Sequence, residues 1–202
     1  MKIDTVFIAI DNISPDEMTK LVNEIYKVVR RVIVIPDIKG IALFNSELHY
    51  LFMEKLFSRK DNDIAYIKQL AIEIKKGIED IDYFIQNTTD KVCPECKNIC
   101  CISKHGRFNF EDLIYLHAIG AKIPEVDFSK NDKEPCHFLN EKGCSLHRSF
   151  RPSGCNWYFC DSLFDAMELA VNYRDFDDKL KEIAELWIKM VEEFKKYICL
   201  NP

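Results

Sequence analysis

The sequence predicts a mostly α-helical fold, a helical bundle that carries an irregular, cysteine-rich metal-binding region. Apolar residues recur at helical spacing in three long stretches, whereas only residues 5–10 favour a strand. Eight of the nine cysteines lie within residues 93–160, where long periodic segments are scarce. With 202 residues, 48% of them hydrophobic, the chain can bury a core without disulfide bonds.

We expect three segments that together form one compact unit. Residues 1–90 are predicted to be an N-terminal helical platform. Residues 91–161 form the cysteine-rich metal-binding region, and residues 162–202 supply C-terminal helices that pack back on the platform. The irregular middle segment is expected where metal ligation replaces hydrophobic burial.

The first 36 residues contain a strand candidate and a strong helix start. Residues 1–13 are predicted to be a short strand or an ordered arm, with no obvious partner strand. Ser14 can cap a helix in which Pro15 takes the first position and Glu17 completes a capping box. Apolar residues then follow at helical spacing as far as Val32, and Pro36 limits this helix.

Two more helices complete the predicted platform. One spans residues 46–57, and a longer one runs from about residue 63 to residue 86. Gly77 is a weak point of the longer helix, costing up to roughly 1 kcal/mol relative to alanine. The buried stripe of that helix is predicted to comprise Ile64, Ile67, Leu70, Ile74, Ile78, Ile81 and Ile85.

Three helices are predicted beyond the first cysteines. Asn109 caps a helix over residues 110–119, and Gly120 stops it. A short helix over residues 162–171 precedes a long one over residues 176–198. The long helix is predicted to bury Phe176, Leu180, Ile183, Trp187, Val191, Phe194 and Ile198.

Composition restricts the compartment and the partners. The net charge of −5 argues against general nucleic-acid binding. No run of 18 apolar residues suggests a membrane span, and the apolar run after Thr5 is too short for a secretion signal. We therefore expect a cytoplasmic protein whose thiols stay reduced, where dense cysteines indicate metal binding or catalysis more than disulfides.

The cysteine spacing predicts that the opening motif binds a metal ion or cluster. Cys93, Cys96 and Cys100 lie within eight residues, so their sulfurs can face one centre, as in zinc knuckles and iron–sulfur loops. Cys101 follows Cys100 directly, and adjacent side chains diverge in most backbone conformations. Cys101 is therefore predicted to serve a second centre or to pack structurally.

A closed four-sulfur site also needs a thiol from the second half of the region. The candidate ligands there are Cys136, Cys144, Cys155 and Cys160. Eight thiols can form two four-sulfur sites, or one site with spare thiols. Three clustered cysteines with a remote fourth favour an iron–sulfur cluster, with Zn²⁺ as the alternative.

The histidines and Cys199 are secondary candidates. His137 adjoins Cys136 and His147 follows Cys144 by three residues, but enough thiols are present without either imidazole. His117 is interpreted as a partly buried polar residue of its helix. Cys199 is expected to be a bystander, because free cysteine often serves as a small hydrophobic residue.

Arg151 is the candidate supporting residue of the site. Arg151 and Pro152 fix a turn just ahead of Cys155, where the guanidinium can donate to a thiolate or to a backbone carbonyl. The aromatic residues between the last two cysteines are expected to shield the metal from water. They are Trp157, Tyr158 and Phe159.

Residues 93–160 resemble the YkgJ-like family, described as a putative zinc- or iron-chelating domain and as an iron–sulfur-cluster-containing protein. The resemblance rests on the runs CPECKNICC, CHFLNEKGC and RPSGC. In this chain three residues, not two, separate Cys96 from Cys100, and Lys97 stands where family members often have glycine. The resemblance implies a metal or cluster bound by the ordered cysteines.

Two classes of function follow. In the first, the protein binds a metal or an iron–sulfur cluster for electron transfer, for metal handling or for its own structure. In the second, it is a protein-modifying enzyme with the metal centre at or near its active site, since flagellin lysine N-methylases carry a similar motif. No catalytic residue and no glycine-rich cofactor motif is identifiable among the six glycines, so the sequence leaves enzymatic activity open. Binding of S-adenosylmethionine by the purified protein would discriminate the two classes.

Overall fold

The structure, a computed structural model, describes residues 3–10, 29–36, 53–96, 99–127, 129–141 and 143–200. The described chain is mostly helical, as the sequence predicts. It forms two compact units, one of Met1–Ser58 with Lys195–Pro202 and one of Arg59–Phe194. The division of the chain into segments 1–90, 91–161 and 162–202 stays a prediction.

The first unit contains a two-stranded parallel sheet of β1 (Ile3–Ile10) and β2 (Val29–Pro36). Ile3 pairs with Val29, and Ile10 pairs with Pro36. The prediction of a helix that reaches Pro36 is therefore wrong for residues 29–36, which form a strand. Residues 15–28 of the predicted helix lie outside the described residues. The run VRRVIVIP is rich in β-branched residues, which favour a pleated strand once a partner strand exists.

Residues 53–57 of the first unit are helical, and they lie within the helix predicted over residues 46–57. The other positions of that helix lie outside the described residues. Within these five positions Met53, Leu56 and Phe57 are buried. Tyr197 and Ile198, near the chain's end, are buried as well.

The second unit is organised by helix α1 (Asn62–Val92), which begins one residue before its predicted start and ends later than predicted. Asp61 caps it by accepting a hydrogen bond from the Ile64 backbone N–H at 2.9 Å. The predicted apolar stripe is buried in full, and Ala71 and Phe84 extend it. Helix α1 therefore supplies one side of the core of this unit.

The remaining helices are α2 (Phe110–Ala118), α3 (Gly154–Trp157), α4 (Asp161–Glu168) and α5 (Tyr173–Leu200). The predicted helices over 110–119, 162–171 and 176–198 are thus confirmed with shifted ends. Gly120, with φ of 68°, ends α2 as expected. Leu180 is only half-buried, whereas Met190, which was not predicted, is fully buried.

Helices α1 and α5 approach each other closely at Gly77. A Cβ built on Gly77 would lie 2.6 Å from Cγ1 of Ile183. Further along the same pair, the rings of Phe84 and Phe176 stack with centroids 4.3 Å apart. The close approach of the two helices therefore leaves no room for a side chain at position 77. Among the described residues, no helix has the length and apolar character needed to cross a membrane.

Candidate metal centre

The opening cysteine motif follows directly from the end of α1. Residues Cys93–Glu95 form a 3-10 turn with Pro94 in its first position, and the Cys96 N–H donates to the Cys93 carbonyl at 3.1 Å. Partial desolvation raises the pKa of the Cys93 thiol, and the nearby thiols of Cys100, Cys160 and Cys96 raise it further. Cys160, the last cysteine of the region, is thus close in space to the opening motif.

Cys100 and Cys101 interact with each other and also with different partners. The hydrogen bond between them raises the pKa of Cys100 and lowers that of Cys101. Cys100 also interacts with Cys160, and Cys101 is affected by Cys155, Cys93 and Cys144. The adjacent thiols therefore hydrogen-bond to each other instead of diverging as the sequence predicts, and Cys101 has neighbouring thiols from both halves of the region.

Backbone hydrogen bonds fix Cys136 beside the opening motif. The Cys136 N–H donates to the Cys101 carbonyl at 2.9 Å, and the Ser103 N–H donates to the Glu134 carbonyl at 2.8 Å. These two bonds flank a single β-bridge between Ile102 and Pro135. The chain returning to Cys136 is thereby held against the start of the 3-10 turn Ser103–Gly106.

Two more thiols lie on short elements, Cys144 on a tight hairpin and Cys155 on a four-residue helix. Strands β3 (Leu139–Asn140) and β4 (Gly143–Cys144) pair antiparallel, with Gly143 at φ of 102°. Burial raises the pKa of Cys155 to about 12, and Cys144 and Cys136 raise it while Arg151 opposes them. Cys136, Cys144 and Cys155 therefore form a second group of neighbouring thiols.

Two arginines support the segment that carries Cys155. Arg151 Nε donates to the Leu146 carbonyl at 2.9 Å, which is the carbonyl contact that the sequence allowed. Arg148, which sequence reasoning missed, is 2% exposed. Its Nε donates to Oδ1 of Asp82 on α1, and its Nη1 donates to the Cys155 carbonyl at 3.5 Å. Arg148 thus connects α1 to residues 153–157, the Cys155 turn.

Asp112 connects α2 to the same turn and was also missed. It completes a capping box with Asn109, accepting from the Asn109 N–H at 2.8 Å. Its other carboxylate oxygen accepts from the Ser153 N–H at 2.8 Å. Burial raises the pKa of Asp112, although these hydrogen bonds oppose the shift. The spacing of Asn109 and Asp112 was the available sequence signal for the cap.

The histidines of the region differ in their hydrogen bonds. Nδ1 of His105 lies 2.9 Å from the Cys100 carbonyl oxygen, and Nδ1 of His147 lies 2.8 Å from Oγ of Ser149. Both ring nitrogens of His137 are buried, and neither has a hydrogen-bond partner among the described residues. His137 therefore differs from the other two because its nitrogens are unsatisfied.

The aromatic residues between the last two cysteines separate into packed and exposed members. Trp157 meets Trp187 edge to face at 5.3 Å, and Phe159 meets Phe176 at 5.9 Å. Tyr158 is instead 61% exposed. Trp157 and Phe159 thus attach this segment to α5, while Tyr158 remains largely in solvent.

The eight cysteines within residues 93–160 are all free thiols. They come from separate segments, yet within residues 53–200 as described no group of three or more Cys, His, Asp or Glu side chains has the arrangement of a metal site. The structure thus brings thiols near one another without a complete coordination sphere. The side chain of Cys199, the predicted bystander, lies outside the described residues.

Comparison of the chain with protein-family models, curated proteins and solved structures gives no match. The resemblance of residues 93–160 to the YkgJ-like family stays a prediction.

Proposed function

We propose that residues 93–160 form a thiolate region that binds a thiophilic metal centre, with an iron–sulfur cluster favoured and Zn²⁺ as the alternative. The observation that carries this proposal is the proximity of thiols from both ends of the region. Cys93 at its start is affected by Cys160 at its end, and Cys101 is affected by Cys144 and Cys155. Free thiols gathered in this way are the donor set that soft metal ions prefer.

The neighbours of each thiol suggest which residues would hold the centre. Cys93, Cys96, Cys100 and Cys160 make up a first group, since the last three all affect the first. This group combines three clustered cysteines with a remote fourth, the pattern that favours a four-iron cluster. A cluster held there would supply one-electron chemistry, while the four thiolates fix its position.

Metal ligation by the second group of thiols would stabilise the segments that carry them. Cys144 lies in a hairpin of two-residue strands and Cys155 in a four-residue helix, and the Cys136 N–H is bonded to the Cys101 carbonyl. Burial and neighbouring thiols hold the pKa of Cys155 at about 12, so without a cation its thiolate is strongly disfavoured. A bound cation reverses that preference, because ligation takes the thiolate form.

The proposal is tested by purifying the full-length protein without oxygen and measuring iron, zinc and acid-labile sulfide per chain. An iron–sulfur cluster predicts a brown protein with a visible charge-transfer spectrum and stoichiometric sulfide. Colourless protein with stoichiometric zinc would support the alternative metal. Protein that contains neither, and that takes up neither on reconstitution under reducing conditions, would contradict the proposal.

A further inference from the structure

Cys101 and Cys136 lie opposite each other beside the β-bridge of the cysteine region. The bridge pairs Ile102 with Pro135 in the antiparallel sense. In the same register Cys101 stands opposite Cys136, and the Cys136 N–H donates to the Cys101 carbonyl at 2.9 Å. Opposite residues of a hydrogen-bonded antiparallel pair have Cα atoms about 5.5 Å apart and side chains on the same face. The backbone therefore places these two cysteine side chains beside each other.

The backbone spacing of this pair suits a disulfide bond better than the spacing of the two adjacent cysteines does. Disulfides usually join residues whose Cα atoms are about 4.4–6.8 Å apart. Cys100 and Cys101 are consecutive, and Cα atoms across a trans peptide bond are only about 3.8 Å apart. A bond between Cys100 and Cys101 would therefore require a distorted backbone. Cys101 and Cys136 have the backbone separation that a disulfide needs.

The Cys136 sulfur packs against the turn that follows Cys101 in the chain. A Cβ built on Gly106 would overlap this sulfur. The Gly106 N–H donates to the carbonyl of the bridge residue Ile102 at 3.3 Å, so the turn folds back onto the bridge. Cys136 is only 9% exposed, whereas Cys101 is exposed. An oxidant in solution therefore meets Cys101 first, and Cys136 is the buried thiol opposite it.

We infer that Cys101 and Cys136 form a reversible disulfide when the protein meets hydrogen peroxide. The Cys101 thiolate attacks one peroxide oxygen, so that an S–O bond forms, the O–O bond breaks and hydroxide leaves. The Cys136 sulfur then attacks the Cys101 sulfur, the S–S bond forms, and the hydroxyl leaves as water with the Cys136 proton. Two electrons pass from the sulfurs to the peroxide. The hydroxide takes up the proton that Cys101 released, so the peroxide ends as two water molecules.

The disulfide would join the two halves of the cysteine region covalently. It closes a loop from residue 101 to residue 136, and this loop contains α2. In a reducing compartment such a bond is transient and serves to sense oxidants. The inference goes beyond the proposed function and does not depend on it, because it requires two free thiols rather than a metal ion. Neither thiol belongs to the group of Cys93, Cys96, Cys100 and Cys160.

The test treats full-length, reduced, metal-free protein with one equivalent of hydrogen peroxide and compares Cys101→Ser with Cys100→Ser. Free thiols are then blocked with N-ethylmaleimide, and mass spectrometry quantifies the disulfide between the tryptic peptides of residues 98–104 and 134–142. Cys100→Ser is the matched control, because it removes the neighbouring thiol of the same peptide. We expect this disulfide in the wild type and in Cys100→Ser, and at least about tenfold less of it in Cys101→Ser. Dithiothreitol should restore both thiols.

A second measurement uses the wild type alone and covers the case in which a variant does not fold. Urea removes the β-bridge, so the same treatment of unfolded protein should give much less of this disulfide and more disulfides between cysteines close in sequence. Equal yields from folded and unfolded protein, or from Cys101→Ser and Cys100→Ser, would overturn the inference. Folded wild type that forms mainly another disulfide, or none, would overturn it as well.

Discussion

At the scale of single residues, the thiols of the region differ in how readily they ionise. A hydrogen bond from Cys100 lowers the pKa of exposed Cys101. Burial and the neighbouring thiols raise the pKa of Cys155 to about 12. Because the thiolate is the reactive form, the two cysteines should differ widely in nucleophilicity when no metal is bound.

We predict that in metal-free, reduced protein at pH 7.5 iodoacetamide alkylates Cys101 at least about tenfold faster than Cys155. Time-resolved labelling with peptide fragmentation, which separates Cys100 from Cys101, measures both rates. In urea-unfolded protein, the control, the two rates should converge. Equal rates in the folded protein would show that Cys101 is not activated.

Arg148 joins α1 to the Cys155 turn through its buried side chain. Its guanidinium is buried and donates both to Asp82 and to the Cys155 carbonyl. Removing one partner of a buried ion pair costs roughly 3–5 kcal/mol. Since the Asp82 side chain is 35% exposed, water can compensate part of this loss.

For Arg148→Ala we therefore expect a loss of about 3 kcal/mol in the free energy of unfolding, at the low end of that range. Urea denaturation of the metal-free, reduced protein measures the change. Arg174→Ala removes an exposed arginine of α5 and should alter stability by no more than about 0.5 kcal/mol. Similar losses in the two variants would mean that Arg148 does not support the turn.

At the scale of secondary-structure elements, the packing of α1 on α5 depends on Gly77. Helix propensity alone predicts that Gly77→Ala stabilises the protein by about 1 kcal/mol. The added Cβ would, however, lie 2.6 Å from Cγ1 and 3.2 Å from Cδ1 of Ile183. Overpacking of a core typically costs roughly 1–3 kcal/mol, so the steric cost should exceed the gain.

Gly77→Ala should therefore destabilise the protein by about 1 kcal/mol, as measured by urea denaturation. In an Ile183→Ala background the clashing atoms are absent, and the same substitution should become stabilising. Gly154→Ala serves as a control for propensity alone, because its added Cβ would meet nothing within 4 Å. A stabilising Gly77→Ala in the wild-type background would refute close packing at this point.

At the scale of the whole molecule, helices α1, α2, α4 and α5 were predictable from sequence because their signals are local. The stripe of α1, the Asn109 cap and the Gly120 stop each depend on a few neighbouring residues. β2 was predicted wrongly, because its apolar spacing up to Val32 fits a helix as well as a strand. Only the pairing with β1, in which partner residues such as Ile3 and Val29 lie 26 positions apart, decides between them.

The candidate site was predictable in its residue types but not in its supporting contacts. The clustered cysteines are evident from spacing, whereas the contact of Arg148 with Asp82 joins residues 66 positions apart. The bond from Ser153 to Asp112 likewise spans 41 positions. Such contacts depend on how α1, α2 and the Cys155 turn pack, which no local pattern encodes. The unpaired nitrogens of His137 become evident only with the fold.

Thiols from both ends of residues 93–160 are proposed to hold one metal centre. The most direct test of this shared centre is the metal content per chain of Cys93→Ser, Cys160→Ser and Cys199→Ser, each purified without oxygen. Cys199 lies outside the clustered set and controls for the substitution itself. Cys93→Ser and Cys160→Ser should each lose the same metal, because each removes a ligand of the same centre, while Cys199→Ser retains the wild-type content. Loss of metal in Cys93→Ser, with the full content retained in Cys160→Ser, would contradict a centre shared by the two ends.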